Sequence, residues 1–320
     1  MSFTIRDANG SDALALFEMI VAYHGEVNIR NKPFTLNKSD FIKDCFDDKS
    51  RVHFFITEFN GSVLGYCAYA FSYSVLNGPS LIVKEVYVKP DYRKIGVSVF
   101  IFSKIMDTAF KNDSHYVHWV VDISNKQIIE VEEKAGVVIN RDILILNIYR
   151  NDIKDYLNAF LKDNPYKIRL AKAYELPDVF ECVNNLAKIT NKKVHTDVYK
   201  LMSDGFSMNP KFKVLVVTIN NIVSGFMSFF ESYSTYCGKT LIVDKVFVID
   251  EVRGKGLEHS LLTGLFEYAY NNGYTRVETL ISKFEVEKIE RLKEFNVFPY
   301  PNLRLAYYVK EEYKKLYNSK

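Results

Sequence analysis

LIVKEVYVKPDYRKIGVS, residues 81–98, returns 160 residues later as LIVDKVFVIDEVRGKGLE, residues 241–258. Seven of the 18 aligned positions are identical, and Tyr87/Phe247 and Asp91/Glu251 are conservative replacements. The same offset pairs Ser72, Tyr73 and Ser74 with Ser232, Tyr233 and Ser234, Gly65 with Gly225, and Asp44 and Phe46 with Asp204 and Phe206. A period this long is a whole domain, so the chain reads as two copies of one fold. Its 320 residues suit two cores, at roughly 100 to 200 residues per domain.

Working outward from the repeated stretch, each copy opens with a strand and a helix, FTIRDANGSDALALFEMIVAY and YKIRLAKAYELPDVFECVNNLA, whose apolar residues recur at three- and four-residue spacing. Strands follow: VHFFITEF, VLGYCAYAFSYS and LIVKEVYV, against KVLVVTI, IVSGFMSFFESYS and LIVDKVFV. Asn60-Gly61 and Asn220-Asn221 supply hairpin turns between them. After the basic turn comes a long amphipathic helix, VSVFIFSKIMDTAFK or EHSLLTGLFEYAYNN, then an apolar strand, HYVHWVVDI or RVETLIS. A further helix and a terminal strand complete the order. The expected class is α/β, a mixed and mainly antiparallel sheet flanked by helices in each of two tandem domains. The expected division is 1–152, a linker at 153–164 in the charged stretch NDIKDYLNAFLKDNP, and 165–320.

Composition narrows the function classes. Hydrophobic residues at 48% and charged residues at 25% describe an ordinary globular protein. A net charge of +3, with Lys and Arg scattered among Asp and Glu, offers no basic stripe for nucleic acid. Cys45, Cys67, Cys182 and Cys237 form no CxxC pair, so reduced thiols in the cytoplasm are expected. No window reaches 18 apolar residues, and MSFTIRDANG lacks the pattern of a secretory leader, so neither membrane nor export is expected. His115 and His118 lie at a strand entrance, where alternating side chains diverge, and no metal site is expected there.

The chemistry sits in the turns EVYVKPDYRKIGVSVF and KVFVIDEVRGKGLEHSLL. A diphosphate is held by free backbone N–H groups at a helix N-terminus, beside small residues and a basic neighbour, and each turn supplies part of that set. With its R-x-x-G turn at the start of the central helix, each half resembles a GCN5-related N-acetyltransferase (GNAT) domain, whose signature is R/Q-x-x-G-x-G/A. Within that superfamily both halves are most similar to diamine (spermidine/spermine) N-acetyltransferases, along FTLNKSDFIKDCF, VLGYCAYAFSYS and VKEVYVKPDYRKIGVS, and along VHTDVYKLMSDGF, VSGFMSFFESYS and VDKVFVIDEVRGKG.

The resemblance implies that acetyl-CoA, the acyl donor, lies along EVYV against the backbone of Val86 and Val88, with its diphosphate on the N–H groups of Arg93, Lys94, Ile95, Gly96, Val97 and Ser98. Asn125, which matches the family Asn seven residues before the Tyr position, is expected to join the cofactor-binding residues. The last small position of the signature is Ser98 in half one and Glu258 in half two. A carboxylate there repels a diphosphate, so half one is the expected cofactor domain and half two its structural twin. The Tyr that members of the family use to protonate the departing thiolate is replaced by Glu132 in half one and Leu292 in half two, with Gly136 and Asn296 at the Gly position. Glu132 becomes a candidate acid. Glu85, on the strand where the resembled enzymes carry consecutive acids, becomes the candidate base, although Lys84-Glu85 and Asp244-Lys245 each replace one of those acids by Lys.

The expected activity is transfer of an acetyl group to a primary amine, whether polyamine-like, amino-acid-like or on a protein. A non-catalytic acyl-CoA-binding or scaffolding protein stands as the alternative. A monomer built as an intramolecular pseudo-dimer, or a homodimer, fits the repeat.

Overall fold

The structure, a computed structural model, describes residues 3–26, 34–47, 50–162, 164–295 and 297–309. Half one runs β1 (Thr4–Asp7), α1 (Ala13–Glu26), α2 (Lys38–Cys45), β2 (His53–Phe59), β3 (Ser62–Ser74), β4 (Gly78–Val88), α3 (Val97–Lys111), β5 (Tyr116–Asp122), α4 (Lys126–Lys134), β6 (Val138–Asn140), β7 (Ile143–Tyr149) and α5 (Arg150–Phe160). Half two repeats the order, without counterparts of β6 and α5 among the described residues, in β8 (Ile168–Leu170), α6 (Leu176–Ile189), α7 (Val198–Gly205), β9 (Lys213–Ile219), β10 (Ile222–Ser234), β11 (Gly238–Val248), α8 (Leu257–Asn271), β12 (Arg276–Ser282), α9 (Val286–Lys293) and β13 (Leu303–Val309).

The turn chemistry behaves as the residues require. Asn60 and Gly61 take φ of 49° and 77°, and Asn220 and Asn221 take 51° and 65°, the left-handed pair that joins right-twisted strands in a two-residue hairpin. Both β3–β4 and β10–β11 carry a bulge at the same place. Ala68 faces Glu85 and Tyr69 faces Val83, which leaves Lys84 as the extra residue; Ser228 faces Lys245 and Phe229 faces Val243, which leaves Asp244.

The two sheets do not follow the chain. One has the order β1-β2-β3-β4-β5-β13-β6 and the other β7-β12-β11-β10-β9-β8. Strand β13 pairs antiparallel with β5, from Leu303↔Asp122 to Val309↔Tyr116, and β7 pairs with β12, from Ile143↔Ser282 to Tyr149↔Arg276. β7 and β13 are equivalent strands of the repeat, since 303 − 143 and 309 − 149 both equal 160. Each half therefore lends its last strand to the other. Helix α5 covers most of the stretch expected as a linker and belongs to the core of half two, where Ile153, Tyr156 and Leu157 are buried against Leu261, Leu265 and Phe266. Each such side chain contributes roughly 1.5–3 kcal/mol on burial. Lys154 and Asp155 of that charged stretch lie on the exposed face of this helix.

The hairpin tips also cross over. Tyr73, Val75 and Leu76 of half one enter the core beneath α6 and α7, where Tyr73 stacks on Phe212 at a centroid distance of 4.5 Å. Tyr233 of half two enters the core beneath α1 and α2.

Candidate functional site

Strands β4 and β5 are parallel neighbours at only two register pairs, Leu81↔Val117 and Ile82↔His118, and diverge beyond the bulge at Lys84. The N–H of Lys89 bonds the Leu64 carbonyl. Backbone polar groups alternate sides along a strand, so those of Val86 and Val88 face away from β3, into the opening. The Val88 carbonyl accepts from Arg93 Nε at 2.8 Å.

At the foot of that opening lies the turn into α3. Gly96, the N-cap, takes φ +92°, and a Cβ built there meets nothing within 4 Å. Glycine takes this left-handed backbone at no steric cost, and its missing side chain leaves the space before the helix open. Lys94 also takes a left-handed φ of 65°, where half two has Gly254. The Arg93 N–H is spent on the Pro90 carbonyl, so the donors left for an anion are those of Lys94 to Ser98, at a helix start with no intrahelical partners. The Arg93 guanidinium bonds Glu26 Oε2 at 2.5 Å and lies over the Tyr87 ring, while the Tyr87 hydroxyl donates to Glu26 Oε1 at 3.2 Å. In half two the matching turn carries Glu258 in the first turn of α8, 3.0 Å from Lys288 Nζ, which also bonds Glu285 at 2.6 Å. That helix start already holds an anion of its own.

Asn125 is the N-cap of α4, its Oδ1 accepting from the Ile128 N–H at 3.3 Å. Glu132, on the same helix, accepts at Oε1 from Trp119 Nε1 at 3.1 Å, while its Oε2 is buried with no partner among the described residues. Burial raises its pKa, and the Trp119 bond opposes this in part. Tyr308, from the exchanged β13, packs its ring at 5.7 Å from Trp119 and donates to the Ala135 carbonyl at 2.8 Å. Half two offers no acid there: Leu292 is part of its core, and Asn296 lies outside the described residues.

Glu85 stands on the opposite face of the sheet from Glu132, among the side chains under α1, and is only 5% exposed. Its Oε2 accepts from the Tyr66 hydroxyl at 2.9 Å. Its Oε1 is 3.1 Å from His24 Nε2 and accepts a hydrogen bond from Thr235 Oγ1, which comes from the hairpin tip of half two. His24 Nε2 lies 3.4 Å from the same Thr235 oxygen. Half two mirrors this with backbone: the Val75 N–H, from the hairpin tip of half one, donates to Asp244 at 2.8 Å, and Lys245 pairs with that carboxylate at 2.7 Å.

Neither His24 nor Thr235 was legible as a site residue. The repeated Ser-Tyr-Ser marks both hairpin tips, but nothing in it says that they cross. His115 packs its ring, tilted by 43°, against His195 of half two at 4.4 Å, whereas His118 bonds Ser72 at 3.0 Å, so the two histidines serve different places. Burial, followed by the charge of Lys84, lowers the His118 pKa to about 4. Among the described residues no group of three or more metal-ligating side chains forms, and no helix is long and apolar enough to cross a membrane.

With this geometry in hand, comparison with known proteins is informative. Residues 17–137 match the family described as Acetyltransferase (GNAT) family. The chain is 23% identical to thialysine N-epsilon-acetyltransferase of Mus musculus over 137 residues, which are 40% of this chain and 81% of that enzyme. It is 26% identical to spermidine/spermine N(1)-acetyltransferase-like protein 1 of Homo sapiens over 113 residues, 32% of this chain and 16% of that protein. Among solved structures, a tandem GNAT protein from the clavulanic acid biosynthesis pathway covers 96% of this chain and 98% of its own length, with a TM-score of 0.54 at 14% identity.

Proposed function

Since the chain is a tandem GNAT-fold protein whose first half matches the acetyltransferase family, we propose that half one transfers an acetyl group from acetyl-CoA to a primary amine. The observation that carries this reading is the turn at Gly96: an open, left-handed glycine at a helix start, below two diverging strands, in the half where no carboxylate blocks it. Acetyl-CoA, when bound, supplies an activated acyl group as a thioester. The backbone of Val86 and Val88 would hold its arm, and the N–H groups of Lys94 to Ser98 its diphosphate. Arg93 would have to leave Glu26 to join them, whereas the Asn125 carbonyl is committed to the α4 cap. The raised pKa of Glu132 keeps a larger share of its carboxyl protonated than an exposed Glu, which suits a proton donor to the departing thiolate.

Half two, with Glu258 tied to Lys288, serves as the structural partner that completes the sheet of half one. Because the bulge carries Lys84 beside Glu85, a less charged amine than a polyamine suits the acceptor side. Four buried, unpaired cysteines are compatible with a reducing cytoplasm, and the exchanged strands allow a monomer to act alone. The test is titration with acetyl-CoA followed by thiol release with a panel of amines. Binding with amine-dependent thiol release supports the transferase. Binding without release from any amine favours the non-catalytic acyl-CoA-binding alternative, and absence of binding overturns both.

A further inference from the structure

The geometry points to His24, rather than Glu85, as the group that takes the proton from the acceptor ammonium in half one, with Glu85 as its positioning residue and Thr235 of half two holding that carboxylate. The assignment rests on the reading of half one as an amine acetyltransferase.

Glu85 is poorly placed to act directly. Both of its oxygens are engaged, one by Tyr66 and the other by His24 and Thr235, whereas His24, nearly as enclosed at 8% side-chain exposure against 4%, has a second ring nitrogen to offer. A carboxylate so held is a fixed acceptor, and what it fixes is the imidazole. His24 Nε2 lies 3.1 Å from Glu85 Oε1 and 3.4 Å from Thr235 Oγ1, whose hydroxyl hydrogen goes to Glu85, so two acceptors face Nε2 and place the neutral ring's proton there, with the lone pair on Nδ1. No described residue bonds Nδ1. The rings of Tyr23, Phe34 and Tyr236 lie at 5.0, 5.3 and 5.3 Å and keep the imidazole from swinging off Glu85. In the proton step the ammonium N–H bond breaks, its electron pair stays on the amine nitrogen, and the proton goes to Nδ1. The imidazolium then has its Nε2–H facing the Glu85 carboxylate, the arrangement that stabilises it without moving that second proton.

Half two lacks this base. Its carboxylate, Asp244, meets the backbone N–H of Val75, the Ser228 hydroxyl and the ammonium of Lys245, and among the described residues no imidazole bonds it. The asymmetry falls on the same side as the Glu258 block, so one half is intact at both ends of the site. The half without a base nevertheless supplies Thr235 to the half that has one.

Two measurements on the full chain test this. Long-range 1H–15N NMR on neutral His24 is expected to show Nε2 protonated and Nδ1 bare; the reverse tautomer overturns the assignment. In kinetics with the best amine of the panel, His24→Gln is expected to lower kcat at least ~100-fold with unchanged acetyl-CoA affinity. Thr235→Val is expected to lower kcat ~10-fold and Thr235→Ser to restore it, because serine keeps the donor. Activity of His24→Gln within about threefold of wild type overturns the base while leaving the transferase standing. An equal loss in the Val and Ser variants of Thr235 reduces that residue to packing. Thiol release from no amine in the wild type removes the transferase and the base together.

Discussion

Gly96 and Gly256 occupy the same left-handed N-cap position, at φ +92° and +86°, with open space where a side chain would project. A glutamate at either position carries the same backbone cost, about 1–2 kcal/mol, so comparing the two isolates the effect on ligand. Gly96→Glu is expected to abolish acetyl-CoA binding and Gly256→Glu to leave it within about twofold, by isothermal titration. Glu132 makes a second prediction at this scale. Its folded-state pKa lies above the ordinary value, so the native protein binds more protons than the unfolded chain between those two pH values, and its stability falls as pH rises through them. Thermal melts of Glu132→Gln should therefore lie above wild type at neutral pH and converge with it below the ordinary carboxylate range. If Glu132 is also the acid, the same variant loses kcat at neutral pH even as it gains stability, a pairing that a purely structural role does not produce. These residues differ in how far the sequence reveals them. Gly96 is readable because its requirement is local, a left-handed turn before a helix. The state of Glu132 depends on Trp119, 13 positions away in the chain, and on the exchanged strand behind it.

Among the elements, β7 and β13 carry the least expected feature. Strand and helix order follow from periodicity and turn residues, and the repeat gave the equivalence of the halves. Which sheet a terminal strand joins does not follow, because the apolar runs ILILNIY and LRLAYYV carry no mark of their partner strand. The register in both exchanged pairs spans seven residues. Helix α5 follows β7 on the same side, with Ile153, Tyr156 and Leu157 buried in the core of half two. Amide exchange is expected to protect the residues of β7 and β13 as strongly as central β10, since each is bonded into the other half. Fast exchange in β13 alone would mean that the first sheet closes without it. Residues 1–164 expressed alone are expected to fail to fold as a monomer, with β7 lacking β12 and β5 lacking β13, and to recover a cooperative melt when co-expressed with 165–320.

At the scale of the molecule, the repeat is two halves that cannot be cut apart along the chain. Each sheet contains a strand of the other, and each acceptor-side core contains the hairpin tip of the other. Their chemistry has diverged within this symmetry. Half one keeps the open turn at Gly96 and a histidine beside its buried carboxylate, while half two, with an equally open Gly256, sets Glu258 paired with Lys288 in the first turn of its helix and pairs its carboxylate with Lys245. The sequence shows the Glu258 substitution directly, because it breaks a local motif; the role of half two as donor of Thr235 and Tyr308 needs the three-dimensional exchange. The proposed division of labour gives the cofactor to one of the two turns. Calorimetric titration of the full chain with acetyl-CoA is expected to saturate at one molecule per chain and to lose that binding in Gly96→Glu. Saturation at two per chain, or binding that survives Gly96→Glu, would contradict it.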